Sequence, residues 1–593
     1  MTKTSVSASA SLTVAPISVS VSPTQAKVAL NATQQFTATV TNDGTNSGVT
    51  WSLTENGVGC SPGCGTIVPA STASGAAATY SAPMTAPVTP LVTVAATSVE
   101  DTAKVATTVM LTTPSGAAAW SAGSGSEFLL KGQYAFLLQG DLAFFGEGSV
   151  VGSFTADGTG KLTGGEEDFI GIEGVSIDTT ASLYAVGPDH RGCLVLTGLD
   201  NASTPPVTSY QSFSFSLDAL NSGSVATDGR IVELNYSLRV GTGESERQAG
   251  AAGILRLQDA TSFTANQFKG NYIVGFTGSD FRNLQNGSRR VAMAGTIAAD
   301  GASAISSGTF DINDLGTITT DLSSTPEGTF TCCDANGHGA LNLQISNAPI
   351  IGFYMINSGD AFLISNNNNV DVFQGVGEAI GVPSTTTFNQ ASLNGVSVLR
   401  GTAQSATGAV VDIATVSADG KGVMTVNDNV NDAGTFNSSS TPFNYTVASN
   451  GRVTLTGGNT PPVLYLYGPN QGFLVGADPN VTLGILEPQT AGPFGDASFS
   501  GSYVFGTENP SVSTVVTESG VLTADGKGSA SGTSVQWSPT AVPADQSFNF
   551  TYSFPANGVG NVGSGTTAIL ISGNKLAFIN NISTNPTITV VEK

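Results

Sequence analysis

TADGTGKLTGG, residues 155–165, returns three times with altered lettering: AADGASAISSG at 298–308, SADGKGVMTV at 417–426 and TADGKGSASG at 523–532. Asp-Gly between alternating runs signals a two-residue β-hairpin, because both central positions of that turn need positive φ. A calcium loop would need carboxylates or amides at alternate positions and a distal Glu. These loops offer one Asp each, at Asp157, Asp300, Asp419 and Asp525. The motif punctuates a repeated β fold.

Working outward, each copy follows an opening: FLLKGQYAF, FKGNYIVGF, LNGVSVL and FSGSYVF, with aligned Gly132, Gly270, Gly395 and Gly501. A second turn follows each: PDHRG, ANGHG, SNGRV and ANGVG. The third repeat holds eight strand-like runs: VSVLRGTA, AVVDIATVSAD, GVMTVND, PFNYTVAS, GRVTLTG, PVLYLYG, QGFLVGAD and VTLGILEPQ. Eight strands with hairpin-length connections fit an up-and-down antiparallel barrel, with a two-sheet sandwich as the alternative. Periods this long predict whole domains on a string, at 128–262, 263–384, 385–493 and 494–593. The G-x-Y opening resembles the G-x-W start of lipocalin- and avidin-like barrels, with Tyr in place of Trp and Ser397 in the third repeat.

Composition agrees with an all-β class. The 593 residues include 72 Gly and 26 Pro among short Val/Ile/Thr/Phe runs, and 40% are hydrophobic, enough for several cores. Only 11% are charged, so the surface is built largely from Ser, Thr, Asn and Gly. A net charge of −23 repels phosphate backbones, which makes nucleic acid a poor partner. No apolar run reaches the roughly 18 residues of a membrane helix. MTKTSVSASASLTVAP, at the start, lacks the apolar core of a secretory signal. The expectation is that a signal was removed, because the chain downstream looks extracellular.

Residues 17–113 form short alternating strands, ISVSVSP through KVATTVMLT, with turns about every ten residues. Cys60 and Cys64 bracket an SPG loop there. Their spacing suits either a metal or a small local disulfide, and no second ligand pair follows at zinc spacing. The disulfide is favoured and implies an oxidising compartment. SVSPTQAKVALNATQQFTATV, VTWSL, CSPGCGTIVP, SGAAATYSAP and VTVAATSVEDTAKVATT resemble the bacterial Ig-like (group 2) domain, in the form common among acidobacterial surface and secreted proteins. That resemblance implies an Ig-like sandwich with a Cys60–Cys64 bridge, an extracellular spacer role, and Trp51 in the core. Residues 1–16 read as an N-terminal extension, either a tail or a strand able to join another chain. Residues 114–127, containing Trp120, read as a flexible linker.

Candidate chemistry is sparse. EEDFIGIEG at 166, DINDLG at 311 and NDNVNDAG at 427 concentrate carboxylates and amides, yet none completes a calcium loop. Turns leading out of strands explain them more simply. His190 and His338, the two histidines, fall in the second turn, where an exposed position is expected. Cys332, Cys333, Asp334 and His338 look like metal ligands, but adjacent strand cysteines face opposite ways, which favours a vicinal disulfide or two thiols. Cys193 reads as a small buried hydrophobe. GVGNVG at 558 precedes a strand-like run where a nucleotide fold needs a helix. No G-x-S-x-G elbow occurs, and no two of the 43 Asp and Glu stand out as a hydrolytic pair. Tyr465, Tyr467 and Trp537 are the candidate ligand-contact aromatics, although alternating aromatics in small barrels more often fill the interior.

These readings predict a non-catalytic secreted or cell-surface protein without cofactor or metal. Its role would be adhesion, scaffolding or envelope structure, through a protein or polysaccharide partner and with self-association through the N-terminal strand. A carbohydrate- or small-ligand-binding protein is the alternative, and an envelope-associated hydrolase the third.

Overall fold

The computed structural model describes residues 15–113 and 126–593 except 24, 30, 56–57, 85–90, 143–145, 170–171, 201–206, 241–242, 248–249, 281–288, 315, 324–327, 345–349, 366–372, 513–514 and 539–540. Trp120 and nearly all of the N-terminal extension and the linker lie outside the described residues. The chain divides into two compact units, Met1–Gly123 and Ser124–Lys593. Among the described residues no helix is long and apolar enough to cross a membrane.

In the first unit two sheets enclose one core. Ser18–Ser22, Thr33–Thr41, Ala77–Ser81 and Thr66–Val68 make one; Gln25–Ala29, Val105–Thr113, Leu91–Ser98 and Val49–Glu55 lead the other. Alternation sends Phe36, Trp51, Tyr80 and Val94 inward. Trp51 Nε1 donates to Thr72 Oγ1 at 3.0 Å. Cys60 and Cys64 are disulfide-bonded with Cα atoms 5.4 Å apart. Tyr80 Oη donates to the Cys64 carbonyl at 2.6 Å, tying that small loop to the core.

All four repeats of the second unit are antiparallel sheets closed around their own cores. The third runs through Asn394–Ser405, Gly408–Asp419, Val423–Asp432, Thr435–Val447, Arg452–Thr456, Val463–Gly468, Gln471–Val475 and Leu483–Pro488; the fourth closes in the same order. In the first repeat Ile172–Ile177 pairs with Arg191–Asp200 to complete the circuit, and in the second Arg289–Asp300 pairs with Ala304–Asp314. The barrel reading holds over the sandwich. Inward positions are bulky: Tyr134, Phe136 and Phe154 in the first, Phe276 and Phe353 in the second, Leu464 and Leu466 in the third, Phe505 and Leu570 in the fourth. Side chains fill eight-stranded barrels of this kind.

The punctuation is built differently from expectation. In each Asp-Gly pair only the glycine takes positive φ, at 81° for Gly158, 80° for Gly301, 70° for Gly420 and 69° for Gly526. The loop is longer than two residues because the Asp side chain closes it. Asp419 Oδ1 accepts the backbone N–H of Lys421, Gly422 and Val423 at 2.7, 3.0 and 2.9 Å. Those backbone bonds hold the Asp419 carboxyl below the usual range, as they do for Asp300 and Asp525.

The G-x-Y opening also resolves physically. Its glycine sits at φ 118°, 107°, 99° and 103° in the four repeats, where a β-carbon is strained. Its tyrosine crosses the barrel end: Tyr134 Oη donates to Ala226 O at 2.8 Å, Tyr272 Oη to Ser358 O at 2.8 Å, and Tyr503 Oη to Gly573 O at 2.9 Å. The third repeat, which has Ser397, uses Asn470 instead; its amide brackets the Asn394 backbone at 2.9 and 2.7 Å.

The barrels are not strung in a line. The first two strands of each pack on the sixth to eighth strands of the next, and those of the fourth pack on the corresponding strands of the first. Ala135, Leu137 and Val151 thus meet Tyr354, Phe362 and Ile364. Ile273, Ala292 and Ala294 meet Tyr465, Phe473 and Val475, and Val398, Val411 and Ile413 meet Ile569, Ile571 and Ile579. The closing seam is more polar: Arg230 pairs with Glu592 at 2.5 Å and Ser216 Oγ lies 3.2 Å from Ser519 Oγ. A head-to-tail contact repeated with rotation makes a ring when it closes. Here it closes within one chain.

Candidate functional site

Register places equivalent residues at each seam. Asp168 and Asp311 occupy one slot on the third strand, and His338 and Arg452 occupy one slot opposite Tyr354 and Tyr465. In the second seam these make a closed set. Arg452 donates to Asp311 through Nε at 2.7 Å and Nη2 at 2.9 Å, and Tyr465 Oη donates to the same carboxylate.

The first seam fills the slots differently. His338 replaces Arg, Glu166 stands where the second seam has Thr309, and Asp334 stands where it has Ala448. His338 Nε2 lies 3.1 Å from Asp168 Oδ2, and Nδ1 lies 3.3 Å from Glu166 Oε1. Asp168 is completely buried, and its Oδ1 accepts the Gly174 N–H at 2.7 Å. Glu166, Asp334 and His338 each present one ligand atom, all within 4.8 Å of one another. The His338 ring stacks on Tyr354 at 4.8 Å. Tyr354 is fully buried, and among the described residues its hydroxyl has no well-formed hydrogen bond, lying beside the Asp168 carboxylate.

The turn carrying these groups is fixed from both sides. Asp334 Oδ1 accepts the N–H of Asn336 at 2.8 Å and of His338 at 2.9 Å. From the first barrel, Gln133 donates to Ala335 O at 3.0 Å and Gln258 to Asn336 O at 3.1 Å. Burial, reinforced by Asp334, pushes the Glu166 carboxyl up to about 8. Burial opposes charge on His338, but the carboxylates of Asp168 and Glu166 outweigh it and raise the imidazole to about 9.

Two sequence strings singled out separately, EEDFIGIEG and the Cys332–His338 stretch, therefore meet in one place. His338 is not an exposed turn residue; only 14% of its side chain is accessible. Cys332 and Cys333 are bonded to each other and face Met355 Sδ at 3.6 and 3.4 Å, so they are not ligands here. DINDLG and NDNVNDAG turn out to be seam clamps. Asn313 Nδ2 donates to Gly476 O and Asp478 O at 2.6 and 2.8 Å, and Asn431 Nδ2 to Asn580 O and Ser583 O at 2.6 and 3.0 Å.

Of the candidate aromatics, Tyr465 lies buried in the second seam, and Tyr467 is half-buried beside Phe473 with ring centroids 5.5 Å apart. Trp537 is buried where a β-carbon on Gly250 would lie 2.2 Å from its ring, at the closing seam. Their common role is packing between barrels.

A second acidic pair, not singled out by any sequence motif, lies inside the first barrel. Glu167, on the inward face of the strand that carries Glu166 outward, shares the first barrel's interior with Glu233. Both are fully buried; Ser209 Oγ donates to Glu167 at 2.9 Å and Gln211 Nε2 to Glu233 at 3.0 Å. Burial pushes each carboxyl up to about 8. Strand alternation was the available signal: in EED the middle residue must point opposite to its neighbours.

The chain matches no family model and no curated protein. A solved structure from Nitrosomonas europaea, provisionally named AttH, aligns at 8% identity over 60% of this chain and 92% of its own length, with a TM-score of 0.13. That overlap carries no argument.

Proposed function

We propose that this is a non-catalytic, secreted or cell-surface protein whose four-barrel ring acts as a rigid scaffold for contact with another surface. The observation that carries the reading is how the barrel faces are used. Interiors are filled by side chains, and outward apolar faces are consumed by seams, which leaves loops and polar rims as the working surface. The candidate aromatics of the ligand-binding alternative are taken up in the same packing. The low charge content and the Cys60–Cys64 bridge favour an oxidising, extracellular setting. In this reading the N-terminal two-sheet unit is an Ig-like spacer, and the partner is a protein or polysaccharide at the cell surface.

The test is protease shaving of intact producing cells, followed by attachment of those cells to a polysaccharide-coated surface with and without the gene. Release of this chain's peptides from intact cells and weaker attachment of the deletion strain are expected. Recovery only after lysis would sink the surface assignment, and unchanged attachment would sink adhesion.

A further inference from the structure

The second seam fills this position with a closed Arg–Asp–Tyr set. The first seam departs from it at three slots together, substituting His338, Glu166 and Asp334. Imidazole cannot make the two-pronged grip of guanidinium, and the buried Tyr354 hydroxyl beside the Asp168 and Glu166 carboxylates has no well-formed hydrogen bond among the described residues. As a purely structural seam this arrangement is inferior, because it gathers carboxylates around one imidazole and leaves a buried hydroxyl poorly bonded. A bound cation reverses that judgement.

We propose that the first seam is a binding site for a divalent transition-metal ion of the zinc type, with His338 Nδ1 and the carboxylates of Glu166 and Asp334 as its protein ligands. The three ligand atoms already lie within 4.8 Å of one another. Asp168, fully buried and 3.1 Å from Nε2, is placed to take the other imidazole proton, which would direct the Nδ1 lone pair toward the ion. Ring stacking on Tyr354 and the clamped turn fix the imidazole plane. One nitrogen and two carboxylate oxygens suit a tetrahedral ion whose remaining position is taken by water or a partner's group. They do not suit calcium, which takes six to eight oxygens. Because the ligands come from two repeats, the ion would pin the first barrel to the second.

The test uses the full chain, stripped with chelator and titrated with zinc chloride, with bound metal counted by mass spectrometry after dialysis. One zinc per chain is expected, and no comparable binding of calcium. His338→Arg rebuilds the set used by Arg452, so it should fold with an unchanged or higher melting temperature and lose zinc. Glu166→Gln, which keeps shape, should also lose zinc, and Asp168→Asn should weaken it by about 10- to 100-fold. Absence of zinc from the wild-type chain would overturn the proposal. Zinc retained equally by the wild type, His338→Arg and Glu166→Gln would place the ion elsewhere and overturn it too.

Discussion

Arg452 holds Asp311 across the second seam through two guanidinium bonds, Nε at 2.7 Å and Nη2 at 2.9 Å, while Asp311 itself is completely buried. Removing the cation leaves a desolvated carboxylate. Arg452→Met should therefore destabilise the second unit by about 3–5 kcal/mol. Arg452→Met combined with Asp311→Asn should recover much of that, since neither charge remains. Denaturant midpoints of the two variants decide the matter; a loss below about 1 kcal/mol in the single variant would place this pair with weak surface bridges.

The pH dependence of stability should have its maximum on the acidic side of neutrality. Glu167 and Glu233 are pushed from 4.5 to about 8 by burial, so their protonated forms favour the fold, and that contribution is lost as pH rises between those values. Glu487 behaves oppositely. Burial opposes its charge, but Arg400 and Lys575 hold it near 2, so its contribution is lost as pH falls from 4.5 toward 2. Melting temperature should peak near pH 5 (about the shared reference value). Glu167→Gln should flatten the alkaline side alone. A profile of Glu167→Gln parallel to the wild type would show that this carboxyl does not titrate in that window.

Much of this architecture was legible in the sequence, and the illegible part has a physical cause. Alternation and loop chemistry are local, so the barrels' eight-strand plan could be read from residues within a few positions of one another. The turn departs from the two-residue hairpin that Asp-Gly implies, because an Asp carboxylate that collects three backbone N–H groups, as Asp419 does, stabilises a longer loop. Ring closure depends on contacts between residues hundreds of positions apart, such as Arg230 with Glu592. One clue was present. GFYMI at 352–356 and VLYLY at 463–467 are apolar on both faces, and a strand with two apolar faces must be covered on both. The metal-type cluster was legible only in halves, since Glu166 and His338 become neighbours only through the first seam.

Closure of the ring should fail at Gly250. A β-carbon there would lie 2.2 Å from the Trp537 ring, and both residues are buried. Gly250→Val should cost about 1–3 kcal/mol as overpacking and separate the fourth barrel from the first without unfolding either. Small-angle scattering should report a larger radius of gyration, and Trp537 fluorescence should shift to the red. An unchanged radius with normal stability would mean that the seam absorbs the extra volume.

The asparagine clamps offer the sharpest test of repeat equivalence. Asn313 and Asn431 each donate twice to carbonyls of the next barrel, and each accepts one N–H, from Gly316 and Gly434, both at 2.8 Å. Asp fits the slot in size but has no N–H to donate, and would set a carboxylate against two carbonyl oxygens. Asn431→Asp should therefore be worse than Asn431→Ala, which merely leaves those oxygens unpaired at about 1–3 kcal/mol. The same order should hold at Asn313. Hydrogen exchange localises the effect: amides of 575–592 should lose protection in the Asn431 variants, and those of 471–488 in the Asn313 variants. If Asp and Ala prove equal at both sites, the side chains bind water at the seam and the direct carbonyl contacts carry no stability.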